Sequence, residues 1–483
     1  GGVLMNSLHF PWLEAATIGP LLVAAVISRV RDSDRARQWS VIVTAAVLVC
    51  TFGAWIEFAL LGDGPGLGPR SFAISGRPLP VLAIDSLNAP LLPLTAFLYL
   101  LTAVATLRTK IRRFSFVGFL ISLSLALAVL GSLNPWAIIA LLAVRTIAPY
   151  LELRARHKPT RVYVLHMILF VSMLALGWWL VEREGLHGEH SFWAIMPLLI
   201  AVLVRTGSIP FHCWITDLFE HATFGTALLY VAPMMGAYVA IRLLVPIAPA
   251  WVLQSISIIS LTTAVYAGGM ALVQREARRF FCYILLSHSA LVLVGLESLT
   301  PIGLTGALCV WLSVSLSLAG FGLVLRALEA RHGRLSLVAY HGVYEHTPLL
   351  AVCFLLTGMA SVGFPGTFGF LGTELLVDGA VQAFPYIGIA VVVAAALNGI
   401  AVVKAYFKLF TGTRHVSSVP LQVGTREKLV VLTLAALILG GGLIPSPAVE
   451  SRHRAAEEIL AERHSRIAPP ATETAQNELP SEP

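Results

Sequence analysis

Residues 202–238 read VLVRTGSIPFHCWITDLFEHATFGTALLYVAPMMGAY, and the fold class turns on this stretch. Apolar residues dominate it, yet Arg205, His212, Asp217, Glu220 and His221 crowd into its middle. Pro210 removes one intrahelical hydrogen bond, and Gly207, Gly225 and Pro233 add further weak points. Charges around a helix break suit a membrane-edge loop that meets water. They equally suit a broken helix lining a hydrated polar path, since irregular backbone at membrane depth is tolerated only where protein or a water-filled cavity surrounds it. Five ionisable groups so close together favour the polar path.

The rest of the chain supplies the membrane. Of 483 residues, 57% are hydrophobic and only 12% are charged, where soluble domains carry about 25% charged residues. Mean hydropathy is +0.81. At roughly 20 apolar residues per crossing there is room for a dozen or more helices. This excludes a soluble enzyme, a disulfide scaffold, a disordered chain and a porin-type barrel, whose strands alternate instead of running solidly apolar. The expectation is an all-α, polytopic transmembrane helix bundle of about 14 spans, with broken helices at spans 7 and 12.

Loop charge orients the spans. Basic clusters occur at 29–37, 108–113 (RTKIRR), 154–161 (RARHKPTR), 275–279, 326–334 and 404–414, while the loops between them are neutral or acidic. Positive-inside placement puts the basic loops in the cytoplasm and both termini outside, in a cell inner membrane. The same bias explains the net charge of +7 without nucleic acid as a partner. The expected organisation is 1–79 for two spans and an exterior loop, 80–430 for the main transmembrane domain, 431–450 for the last span, and 451–483 for a polar tail. In that tail RHRAAEEILAERHSR suits a short surface helix, and the remainder reads as disordered. The apolar run after Pro11 lacks a cleavage site, and Met5 is a candidate start.

Two further irregular points stand out. VGFPGTFGF, 362–370, breaks a second apolar run, and Glu374 follows between apolar neighbours. Burial there favours the neutral carboxyl, as a proton-accepting group requires; a glutamate reaching outer water is the alternative. His288 lies on the apolar helix RRFFCYILLSHSALVLVGLES, 278–298. It reads either as a carbonyl-bonded structural histidine or as a group that titrates near physiological pH. Five cysteines without a CxxC pair indicate no zinc or iron–sulfur site. GDGPGLGP at 62–69 follows no strand, so it reads as no nucleotide loop.

These stretches together resemble the antiporter-like membrane subunits of respiratory complex I, with the M (mitochondrial chain 4) type as the nearest branch. PFHCWITDLFEHATFGTA with MMGAY, REARRFFCYILLSHSALVLVGL, VGFPGTFGFLGTELL and AIDSLNAPLLPLTAF carry the resemblance, over about residues 80–430. Relatives in that superfamily serve multisubunit sodium/proton antiporters, membrane hydrogenases and a two-component inorganic-carbon pump. The resemblance implies a proton path through a Glu on span 5, Lys on spans 7 and 8, His along the way, and a Lys or Glu on span 12. Here those positions hold Val144, Arg205, Met234 and Glu374, with His212, His221 and His288 retained. Lysine loses its proton when desolvated, whereas arginine effectively does not. Arg205 therefore fixes a charge and is a poor relay. Asp217 and Glu220 join the expected path. Buried Arg145 and Arg205 need counter-charges, for which Glu152, Glu57 and Asp217 are the candidates.

Three functions follow. The first is a proton-translocating subunit of a complex I-like NADH-quinone oxidoreductase assembly, with a degenerate path. The second is the membrane half of an inorganic-carbon uptake pump with a zinc carbonic-anhydrase-like partner. The third is a structural subunit that does not conduct. Each places the chain in a bilayer among other membrane subunits, with a soluble redox or zinc-containing subunit as a further candidate partner. No cofactor, metal or catalytic chemistry is expected in this chain.

Overall fold

The computed structural model describes residues 8–30, 32–61, 69–74, 77–78, 81–106, 114–188, 190–296, 299–383, 385–412 and 424–467. The basic cluster 108–113, most of the 62–69 glycine loop and the end of the tail from 468 lie outside these. The described residues form an α-helical bundle, with one two-stranded ribbon, β1 (Ala73–Ile74) and β2 (Arg77–Pro78). Eight helices are long and apolar enough to cross a membrane, or up to nine if a bent pair counts as one span. Five shorter apolar helices lie among them. Length alone therefore gives fewer crossings than the expected fourteen, because several spans are built from short or interrupted helices.

Caps explain many of the starts. Asp32 caps α2 (Ser33–Leu60), Ser115 caps α4 (Phe116–Gly131), and Asn134 caps α5 (Pro135–Arg145). In each, a side-chain oxygen accepts from a free first-turn N–H. Pro135 fits the first turn of α5, where no partner carbonyl is lost. Between helices the seams are tight. A Cβ at Gly306 of α14 (Pro301–His332) would sit 2.3 Å from the backbone nitrogen of Leu376 in α16 (Phe368–Ala383). One at Gly379 of α16 would sit 2.2 Å from the Cα of Gly303. Small residues let these two backbones close on each other, as membrane helices do without a hydrophobic drive between them.

Both helix breaks appear where glycine and proline predict them. α8 (Phe192–Thr206) stops at Gly207, whose φ of 73° is left-handed, and α9 (Cys213–His221) resumes beyond Pro210. The chain breaks again before α10 (Phe224–Val231) and before α11 (Met235–Val239), which runs into a π-helical turn at Ala240–Leu244. α15 (Pro348–Ser361) and α16 flank the second break, where Gly363 and Gly366 have φ of 82° and 87°.

The C-terminal region differs from the expected polar tail. α18 (Thr425–Leu443) begins ahead of the expected last span, then turns by 74° into α19 (Ser446–Ile467). This last helix buries Arg452, Ala455, Ala456, Ile459, Leu460 and Arg463, the 3.6-residue spacing of one face. Arg452 donates to the carbonyls of Ser86 at 2.6 Å and Leu87 at 3.0 Å, and Arg463 donates to that of Val245. Thus residues 451–467 form an anchored helix. Arg452 and Arg463 hold carbonyls of neighbouring segments, whereas Arg454 and Arg466 pair with Glu450 and Glu462 along the helix.

Candidate functional site

The first break is held by hydroxyls. Thr206 Oγ1 and Ser208 Oγ lie 3.0 Å apart, and the Ile209 N–H donates to Thr263 Oγ1, also at 3.0 Å. Thr263 stands on α12 (Ala250–Val273), immediately before Ala264, whose carbonyl accepts from Ser287 Oγ at 2.7 Å. Ser287 and His288 are neighbours on α13 (Ala277–Val294). Ser287 also accepts from Asn398 Nδ2 at 2.7 Å. His288, 2% exposed, places Nε2 3.5 Å from Ser361 Oγ at the lip of the second break. Buried polar side chains, Thr263, Ser287, His288 and Ser361, therefore lie between the α8–α9 break and the α15–α16 break, with Thr263 and Ser287 each bonded to backbone carbonyls of α12. Ser287 and Asn398 escape a sequence reading because lone serine and asparagine in apolar helices carry no pattern.

The other charges of the 202–238 stretch are engaged locally. Asp217 Oδ1 lies 3.0 Å from His221 Nδ1, and Glu220 accepts from Arg279 Nε at 3.0 Å. His212 is half-buried, with its ring 5.6 Å from that of Tyr266 and 6.4 Å from that of Tyr283. Arg205 lies buried, its guanidinium 4.4 Å from the Tyr230 ring centre and 5.4 Å from that of Trp214.

Three expectations need correction. Glu152 does not meet Arg145: α5 ends there, α6 (Ile147–Ala155) starts after Thr146, and Glu152 accepts from the Thr223 N–H at 2.6 Å. Glu57 is likewise spent elsewhere, 2.8 Å from His9 Nδ1 and accepting from Trp12 Nε1 at 2.5 Å. Glu374 is exposed, not buried. The glycine face of α16 turns toward α14, which rotates Glu374 and Asp378 onto the outer flank.

One ion pair went unread. Asp85 Oδ2 lies 2.5 Å from Arg242 Nη2, and Arg242 Nε donates to the Tyr238 hydroxyl at 3.2 Å. Tyr238 donates in turn to the Leu130 carbonyl at 2.9 Å. The usable signal was Tyr238 and Arg242 one turn apart, with Asp85 inside the AIDSLNAP motif.

This architecture has known counterparts. A family profile described as "NADH:quinone oxidoreductase/Mrp antiporter, TM" matches residues 159–398. The NADH-quinone oxidoreductase subunit M of Rickettsia bellii is 25% identical over 414 residues, 78% of this chain and 82% of that one. Subunit M of Rickettsia prowazekii is 27% identical over 279 residues, and the match spans 56% of each chain. A chain of respiratory complex I from Thermus thermophilus superposes with a TM-score of 0.81 at 20% identity, covering 95% of this chain and all (100%) of that one. A chain of the Mrp complex from Dietzia sp. gives 0.77 at 17% identity, with 95% and 100% covered. The chain belongs to the antiporter-like membrane subunits of complex I and its relatives.

Within this antiporter-like subunit the departures cluster. Val144, Arg205 and Met234, at the carrier positions implied for spans 5, 7 and 8, all lie in the half of the bundle before α12. Val144 is 48% exposed, and Met234 sits in the break before α11 with a left-handed φ of 52°. The half beyond α12 keeps His288, the buried hydroxyls and Glu374.

Proposed function

We propose that this chain is the proton-translocating membrane subunit of a complex I-like NADH-quinone oxidoreductase assembly, working beside other membrane subunits. The observation that carries this reading is the set of buried polar side chains, Thr263, Ser287, His288 and Ser361, that lie between the two helix breaks. Hydroxyls and imidazoles both donate and accept, and water between these groups would complete a route for a proton from one break to the other. Glu374, on the outer flank beyond the second break, is the group that takes it up or gives it away there. Arg145 and Arg205 are fixed charges and not relays, since neither guanidinium loses its proton.

Replacing His288 by leucine tests this route. The expected result is an assembled complex whose electron transfer no longer drives acidification of reconstituted vesicles. Full acidification with the leucine variant would remove His288 from the route.

Orientation follows from the basic loops and is part of the same reading. Reporter fusions in the loop around Arg156 are expected to read cytoplasmic, and those around Gly185 exterior. Both reporting from one side would contradict the span assignment between them.

A further inference from the structure

Two buried arginines before α12, Arg145 and Arg205, have no carboxylate against them among the described residues. Arg145 is 1% exposed and Arg205 is 4% exposed. Arg145 Nη2 donates to the Leu229 carbonyl at 3.1 Å, and Arg205 Nη2 donates to that of Tyr230 at 3.4 Å. Arg145 Nε and Nη1 and Arg205 Nε are buried, with no hydrogen-bond partner among the described residues. Both guanidinium groups face one ring, that of Tyr230, at 5.4 and 4.4 Å from its centre. The two cations are therefore close neighbours.

Neither charge is removed by deprotonation. An uncompensated buried ion is expensive, and a second one of like sign beside it adds repulsion that a low-dielectric interior does not screen. The rings of Tyr230, Trp214 and Phe170 attract Arg205. They leave the total charge at the site unchanged. Glu152 and Asp217, the carboxylates nearest in the sequence reading, are bonded to Thr223 and His221. The burial of both arginines also bars a partner protein from reaching them, so only a small species fits.

A route in is visible. A cleft of about 490 Å³ is bounded by Val144, Leu229, Tyr230, Glu152 and Arg156, and so reaches the residues on which both guanidinium groups rest. Glu152 would oppose an anion there, but Arg156 Nη1 lies 3.9 Å from its carboxylate.

We propose that Arg145 and Arg205 together bind one small monovalent anion of the halide class, which neutralises the pair in the core. This site does not depend on proton translocation; a chain that conducts nothing would need it equally. The test uses the full chain purified with the subunits it carries, and compares chloride or bromide with gluconate at equal ionic strength. The expected result is a saturable rise in Tm with halide that is lost in both Arg145→Met and Arg205→Met. A wild-type Tm indifferent to the anion overturns the proposal. So does a halide shift that survives in either variant, which would place the anion elsewhere. Should a variant fail to fold, bromide anomalous scattering from wild-type crystals decides. A peak within hydrogen-bond reach of both guanidinium groups supports the site, and no peak there overturns it.

Discussion

Glu374→Gln is expected to leave the complex assembled and to abolish proton-coupled activity in reconstituted vesicles. A conducting chain needs a carrier at membrane depth that exists in both protonation states. Arginine is excluded by its basicity, and Val144 and Met234 carry no charge. Glu374 lies one to two turns beyond the Gly363–Gly366 break, on the flank of α16 that faces away from α14. That flank is exposed in the isolated chain. Glutamine keeps the shape and the hydrogen bonding but cannot carry a proton, so the loss falls on transport and not on folding. Undiminished pumping by the glutamine variant would move Glu374 to a structural role.

The second large effect is on stability. Asp85→Leu is expected to destabilise the chain by about 3–5 kcal/mol, the cost of leaving one member of a buried ion pair alone. Asp85 is 6% exposed, and the hydrogen bond left to Arg242 among the described residues is to the Tyr238 hydroxyl, 3.2 Å away. The double variant Asp85→Leu with Arg242→Met removes both charges. It is expected to recover most of the loss, because apolar replacement of a whole buried pair is often neutral. Denaturant or thermal unfolding of the purified protein reads both variants. A single variant as stable as wild type would show that the pair is water-screened and contributes little.

How much of this was legible in the sequence depends on what each signal reports. Breaks were readable because Gly207, Pro210, Gly363 and Gly366 act on their own backbone, whatever surrounds them. The bundle itself was readable from apolar run length. Helix rotation was not: Glu374 looked buried because its sequence neighbours are apolar, whereas the close approach of Gly306 and Gly379 set which face of α16 turns inward. The partner of Arg145 was missed for a related reason, since two turns of helix carry Glu152 to the Thr223 N–H while Arg145 reaches the Leu229 carbonyl. In α19, charged residues suggested a short surface helix with its arginines in solvent. Arg452 and Arg463 instead spend their donors on carbonyls at helix ends, a use of arginine that composition does not reveal.

The central claim is that this chain moves protons within a redox-driven membrane assembly. Its most direct test is purification of the chain from its native membranes, identification of what accompanies it, and reconstitution of that assembly into vesicles. Co-purifying membrane subunits with a redox-active partner are expected, together with vesicle acidification on addition of electron donor and quinone that a protonophore collapses. A chain that purifies without any redox partner, in vesicles that show no proton movement, would contradict it.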